Sequence, residues 1–197
     1  LNNTAAEVNF DQATLYENMN KIVKLIGYKP TGKQTSIVPI NAIASSSLAT
    51  GNYTLRKYSY FLTDGVQYNF IDDFSFTKIT SDEESLTTFN DTAILYQGTI
   101  KEYPDYSVVQ NIVDTRTDTF IADNTISVYV KEIDNDKYYE YKEVESLYLT
   151  NSVDRVYEKR LNENGHYEIK FGNGVFGKRL TEGDTVSVSY ILSDNTR

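Results

Sequence analysis

At 197 residues with no cysteine, the chain is long enough to bury a core without covalent staples, and it has no disulfide framework to offer. Nineteen Lys and Arg against 28 Asp and Glu leave a net charge of −9, the wrong sign for neutralising phosphates, so nucleic acid is not an expected partner. No apolar run of about eighteen residues is present to cross a membrane as a helix, and the seventeen Tyr, nine Phe and only three Pro suit pleated sheet.

In chain order, the first element is a predicted helix inside Ala13–Ile26. Leu15, Met19, Ile22, Val23 and Ile26 form one stripe, with Glu17, Asn18, Lys21 and Lys24 away from it. Thr14 and Glu17 have capping-box spacing, and Asp11 is a rival cap one turn earlier. Gly27 supplies the stop and Pro30 prevents continuation. Everything after it reads as strand and turn. Ser36–Ala44, interrupted by Pro39, is an edge strand or connector, and Ala44–Gly51 is a loop. Tyr58, Tyr60 and Leu62, then Val66, Tyr68 and Phe70, alternate on either side of Asp64-Gly65, a hairpin signal. Phe74–Ile79 and Ala93–Ile100 are further strands, separated by a solvated acidic loop at Ser81–Glu84.

Pro104 and Asp105 interrupt the pattern, so the expected division is a helix-plus-hairpin lobe over residues 1–104 and an antiparallel β lobe over 105–197. In the second lobe Ile126, Val128 and Val130 form a strand, Asp134-Asn135-Asp136 a turn, Tyr138–Tyr141 a return, and Leu147–Leu149 a short strand. Val156–Leu161 leads through the hairpin dipeptide Asn164-Gly165 into His166–Leu192. The predicted class is therefore α+β and β-dominated: antiparallel sheets and hairpins with one N-terminal amphipathic helix. The chain is expected to be a piece of a longer protein.

The block His166–Leu192 organises the rest. Tyr167, Ile169 and Phe171 share one face of a strand, and Val186, Val188, Tyr190 and Leu192 repeat the pattern. Between them lies a formal G-x-G-x-x-G at Gly172, Asn173, Gly174, Val175, Phe176 and Gly177. A dinucleotide fingerprint needs a helix after the glycines to receive the pyrophosphate. Here Lys178, Arg179 and Leu180 run into a turn signal at Thr181–Asp184 and then a second strand. The preferred reading is a glycine-rich turn joining two antiparallel strands, in which at least one of Gly172, Gly174 and Gly177 holds positive φ. Phe176 is read as an anchor within the lobe or at a subunit contact, with Lys178 and Arg179 meeting some of the excess acid.

No catalytic, metal or cofactor residues are nominated. His166 is the single histidine and sits beside a hairpin turn on the polar side of its strand, without a nucleophile turn nearby. Asp134 and Asp136 begin a calcium-loop spacing, but Tyr138 stands where a third oxygen ligand belongs. The paired acids Asp72-Asp73 and Glu83-Glu84 say nothing about placement across a glycosidic bond.

Four stretches resemble the baseplate wedge proteins of contractile-tailed bacteriophages, the baseplate-J-like group. They are NMNKIVKLIGYKP, LTDGVQYNF, DTFIADNTISVYVKE and, most specifically, VYEKRLNENGHYEIKFGNGVFGKRLTEGDTVSVSYILS. The resemblance implies a structural protein of the virion tail baseplate, assembled in the bacterial host cytoplasm, that dimerises and joins other wedge proteins into the ring around the tail hub. It implies no enzyme, cofactor, small-molecule substrate, nucleic acid or membrane. Two other classes stay open: a carbohydrate-binding or adhesin module using its tyrosine faces, and a tail-associated glycan hydrolase.

Overall fold

The structure is a computed structural model that describes residues 27, 32–41, 43–44, 47–79, 87–88, 92–107, 112–114, 120–134, 137–161 and 166–193. The expected helix over Ala13–Ile26, the acidic loop at Ser81–Glu84 and the Asn164-Gly165 turn lie outside the described residues. What is described is β-dominated, with mostly antiparallel pairing. No helix among the described residues is long and apolar enough to cross a membrane.

The chain divides into two compact units, Gln34–Lys101 with Ile191–Arg197, and Leu1–Lys33 with Glu102–Tyr190. In the first, β1 (Ile37–Ile40), β8 (Ala93–Gln97), β5 (Val66–Asn69) and β4 (Tyr60–Thr63) form a four-stranded sheet in the order β1-β8-β5-β4. Pro39 sits on an edge strand, as its missing N–H requires. The predicted hairpin is present: Thr63 opposes Val66, and Asp64 and Gly65 take φ of 52° and 79°, the left-handed pair of a type I′ turn. Beside this sheet are two ribbons, β2 (Ile43–Ala44) with β7 (Thr87–Thr88), and β3 (Gly51–Leu55) with β6 (Phe74–Lys78). β3 has only a weak pattern in the sequence, with Gly51 and Asn52 at its start. Phe70, Ala93 and Leu95 make the small core of this unit, with Ile40, Leu55, Tyr68 and Phe74 packed on it.

The single strand expected over Ala93–Ile100 is two, because Gly98 at φ 134° breaks it, and β9 (Thr99–Ser107) follows. Pro104 and Asp105 lie inside β9, an edge strand, where a proline is tolerated. The other unit is built on a seven-stranded sheet completed by β10 (Ile112–Asp114), β11 (Ser127–Glu132), β12 (Lys137–Glu143), β13 (Val156–Leu161), β14 (Tyr167–Phe171) and β15 (Thr185–Leu192), in the order β10-β14-β13-β12-β11-β15-β9.

Period two governs this sheet. Tyr167, Ile169 and Phe171 are buried while Glu168 and Lys170 are half-buried, and Val128 and Val130 are fully buried on β11. Burying an aliphatic or aromatic side chain of this kind stabilises by about 1.5–3 kcal/mol. On β15 both faces are buried from Val186 to Ile191, with Val186, Val188 and Tyr190 on one and Ser187, Ser189 and Ile191 on the other. β13 and β14 form the expected hairpin, with Leu161 opposite Tyr167.

Two expectations are corrected. β14 and β15 are not neighbours: β13, β12 and β11 stand between them, so the glycine block is a crossing connection and not a turn between paired strands. Leu147–Leu149 is a 3-10 turn and not a strand, since Ser146 Oγ accepts from the Tyr148 N–H at 3.3 Å and the Leu147 carbonyl accepts from both the Thr150 N–H and hydroxyl. That turn lies on the connection of residues 144–155 between β12 and β13, which pair in parallel and so need a crossover.

Candidate functional site

The glycine block begins where β14 ends. Gly172 bridges Arg179, so the chain closes on itself within one short loop. Gly174 and Gly177 hold φ of 89° and 69°, the positive values expected of the block. Gly172 is needed for a different reason, because a Cβ there would stand 2.1 Å from the Gly177 carbonyl carbon. The loop is thus two backbone strands in direct contact.

Every backbone N–H from Asn173 to Lys178 is spent inside the protein. Asn173 donates to the Phe176 carbonyl and Gly174 to that of Gly177, each at 3.1 Å. Asn173 Oδ1 accepts from both Val175 and Phe176 at 2.9 Å. Gly177 and Lys178 donate across to Asn151 and Asp154 of the β12–β13 connection, at 3.0 and 2.8 Å. A phosphate-cradling loop aims its N–H groups at the ligand and feeds a helix. This one does neither, and β15 follows it.

The side chains sort into three fates. The Phe176 ring is half-buried and meets the Tyr148 ring edge-on at 5.2 Å between centroids. Lys178 reaches Glu132 on β11 at 2.6 Å, while Arg179 is exposed. Val175 is exposed, and so are Tyr148, Leu149 and Val153 on the connection that the loop bonds to, each 64–85 %.

Beneath the loop lies a charged support. Glu132 is 5 % exposed, yet it belongs to the inward face of β11 in phase with Val128 and Val130. Its carboxylate accepts from Arg155 Nε and Nη2 at 2.9 and 3.2 Å as well as from Lys178. The Arg155 hydrogen bond holds its pKa down to about 2 against the opposing effect of burial, and Lys178 adds to the depression. Arg155 lies over the Tyr139 ring at 3.8 Å. The Tyr141 hydroxyl is buried close enough to Glu132 to feel its charge but makes no hydrogen bond of good geometry, and burial first and Glu132 second push its pKa well above the usual phenol range. At the far end of the connection, buried Asp184 accepts from the Ile133 N–H at 3.0 Å and from the Thr181 N–H and hydroxyl at 2.8 and 3.0 Å.

A second support stands on β13. Lys159 is 5 % exposed in phase with Tyr157 and Leu161, and its ammonium donates to Asp123 Oδ1 at 3.0 Å, the Asp123 carbonyl at 2.7 Å and Glu143 Oε2 at 3.1 Å. The Tyr167 hydroxyl donates to Asp123 Oδ1 at 2.6 Å and accepts from the Gly32 N–H at 2.9 Å. Burial and then Asp123 raise the Tyr167 pKa far above the usual phenol range. The Lys33 carbonyl accepts from Asp123 N–H, and the Lys33 ammonium lies 3.7 Å from the Phe120 ring centroid. This cluster stitches the Gly32–Lys33 segment to the sheet.

In the sequence each support shows only as a charged residue, Glu132 or Lys159, in phase with an apolar strand face. His166 is half-buried at the entrance to β14. Asp134 is exposed and Asp136 lies outside the described residues, while Asp73 accepts the Lys57 N–H at 2.7 Å as a turn acceptor. Among the described residues no group of three or more His, Asp or Glu is placed to hold a metal ion. No protein-family model and no curated protein matches the chain.

Proposed function

We propose that the chain is a structural, non-catalytic subunit of a bacteriophage tail baseplate wedge, joining wedges into the ring around the tail hub. The observation that carries this reading is the glycine block, whose backbone donors from Asn173 to Lys178 are all turned inward and which exposes the apolar Val175. A loop of that construction offers shape and contact area and has no backbone donors left to cradle a small anion. The likeness of the surrounding sequence to baseplate-J-like proteins supplies the phage tail. On this reading the partners are a second copy and other wedge proteins, and the protein resides in the virion after assembly in the host cytoplasm. The stripe of Leu15, Met19, Ile22 and Ile26 forms an amphipathic helix, making the whole α+β.

Co-expression of the full-length protein with its neighbouring tail proteins tests this. A defined complex that loses the chain when Val175→Asp and Leu149→Asp are combined is the expected result, since both side chains are exposed and neither change empties a core. A folded chain that joins no tail protein, but binds a glycan array or turns over cell-wall polymers, would overturn it.

A further inference from the structure

The outermost strand of the four-stranded sheet, β4, is exposed on both faces: Tyr60, Phe61 and Leu62 are 57 %, 45 % and 65 % exposed. Its outer edge pairs with nothing among the described residues. Edge strands are ordinarily guarded by a proline, a charge or a bulge. The opposite edge, β1, carries Pro39; β4 reads Tyr-Phe-Leu-Thr with neither proline nor charge, and the bulge at Tyr58 and Ser59, which both bond to Phe70, falls before the strand.

Pairing with β5 determines which backbone groups remain. The Phe70 N–H donates to the Ser59 carbonyl at 3.0 Å, and Phe61 and Thr63 oppose Tyr68 and Val66. By the alternation of an antiparallel ladder, Phe61 and Thr63 bond inward like the Ser59 carbonyl, whose own N–H goes back to the Arg56 carbonyl at 2.9 Å, while Tyr60 and Leu62 turn their N–H and C=O groups to the open side. The charges at the two ends of the strand are opposite. Arg56 and Lys57 precede it and Asp64 follows it, with Arg56 and Asp64 exposed. An antiparallel copy of the same strand therefore sets each basic end beside the other molecule's Asp64, whereas a parallel copy would set like charges together.

We propose that β4 pairs antiparallel with β4 of a second copy across a two-fold axis, joining two four-stranded sheets into one continuous sheet. This inference stands on the strand edge and does not need the baseplate reading. A pair of four-residue strands buries well under the ~1,200 Å² of a standard stable interface. The contact is thus weak alone and concentration-dependent, and it tightens where other contacts hold two copies together.

Because the chain has no cysteine, an introduced thiol can form a disulfide only with another molecule. Single variants Tyr60→Cys, Phe61→Cys, Leu62→Cys and Thr63→Cys, oxidised gently at high protein concentration, should give a covalent dimer at one or two adjacent positions. Ile37→Cys, 54 % exposed on the opposite edge strand, should give none. Leu62→Pro removes an outward N–H without touching the bonds to β5, and Leu62→Lys sets two like charges near the axis. Each should abolish the cross-link in the Phe61→Cys background and the concentration-dependent dimer in sedimentation velocity, with circular dichroism and melting temperature retained. A chain that sediments as a monomer at every concentration, a cross-link no stronger than that of Ile37→Cys, or a dimer that survives both Leu62 variants would overturn the proposal. A chain that stays monomeric by itself at every concentration and still joins a tail-protein complex would leave the baseplate reading standing while this one fell.

Discussion

Gly172→Ala should be among the most damaging single changes in the molecule, although the position has no unusual φ. The added methyl would lie 2.1 Å from the Gly177 carbonyl carbon, 2.2 Å from its oxygen and 2.5 Å from its Cα. Ordinary contact is about 3.5–4.0 Å, so the facing backbone must retreat by more than ~1 Å. It is poorly placed to do so, since Gly177 donates to Asn151 at 3.0 Å and its carbonyl accepts from Gly174 at 3.1 Å. Overpacking costs about 1–3 kcal/mol where side chains can give way; with backbone on both sides the upper end, ~3 kcal/mol, is expected. For a chain of this size that corresponds to ~6–12 °C of melting temperature. Gly174→Ala is the internal control, because its φ of 89° is left-handed but nothing lies nearer than Arg179 Cβ at 3.6 Å. It should cost only the ~1–2 kcal/mol of that conformation. Calorimetry of the three proteins, with amide exchange at Gly177 and Lys178 to localise the loss, measures both. If Gly172→Ala melts with the wild type, or if Gly174→Ala costs as much, the close backbone approach is not what the glycines provide.

Glu132→Gln should destabilise at neutral pH by ~1–2 kcal/mol, below the ~3–5 of a fully buried pair because Arg155 and Lys178 are each about one third exposed. Since the carboxyl is depressed from 4.5 to about 2, its contribution is complete above pH 4.5 and is lost as pH falls towards about 2. The gap between wild type and variant in urea titrations should therefore close over that window, and a gap independent of pH would refute the ion-pair account. Tyr167→Phe strands the Gly32 N–H and removes a hydrogen bond to Asp123, so a loss of ~1–2 kcal/mol is expected, together with faster amide exchange at Gly32; exchange that stays protected would show the stitch lies elsewhere. Phe176→Ala should cost ~1–2 kcal/mol of stability through the lost contact with Tyr148. A variant of unchanged stability that no longer assembles would instead make Phe176 an intermolecular anchor.

Much of the β-structure could be read directly from the chain, because a strand's alternation is a local property. Tyr167, Ile169 and Phe171 announce the buried face of β14, Asp64-Gly65 announces a left-handed turn, and Pro39 announces an edge. The positive φ at Gly174 and Gly177 belongs to the same kind of evidence, since few other residues tolerate it. Which strands become neighbours is not local. β14 and β15 alternate as paired strands would, yet three strands separate them, and only the assembled sheet decides that order. The same holds for the charged supports. Glu132 and Lys159 are legible as charges on apolar faces, but their partners Arg155, Lys178, Asp123 and Glu143 arrive from other parts of the chain. A buried charge is tolerable only where the fold has brought its counter-charges and donors to it. Spacing along the chain places a residue on a face, whereas the long-range closure of the sheet determines what that face meets.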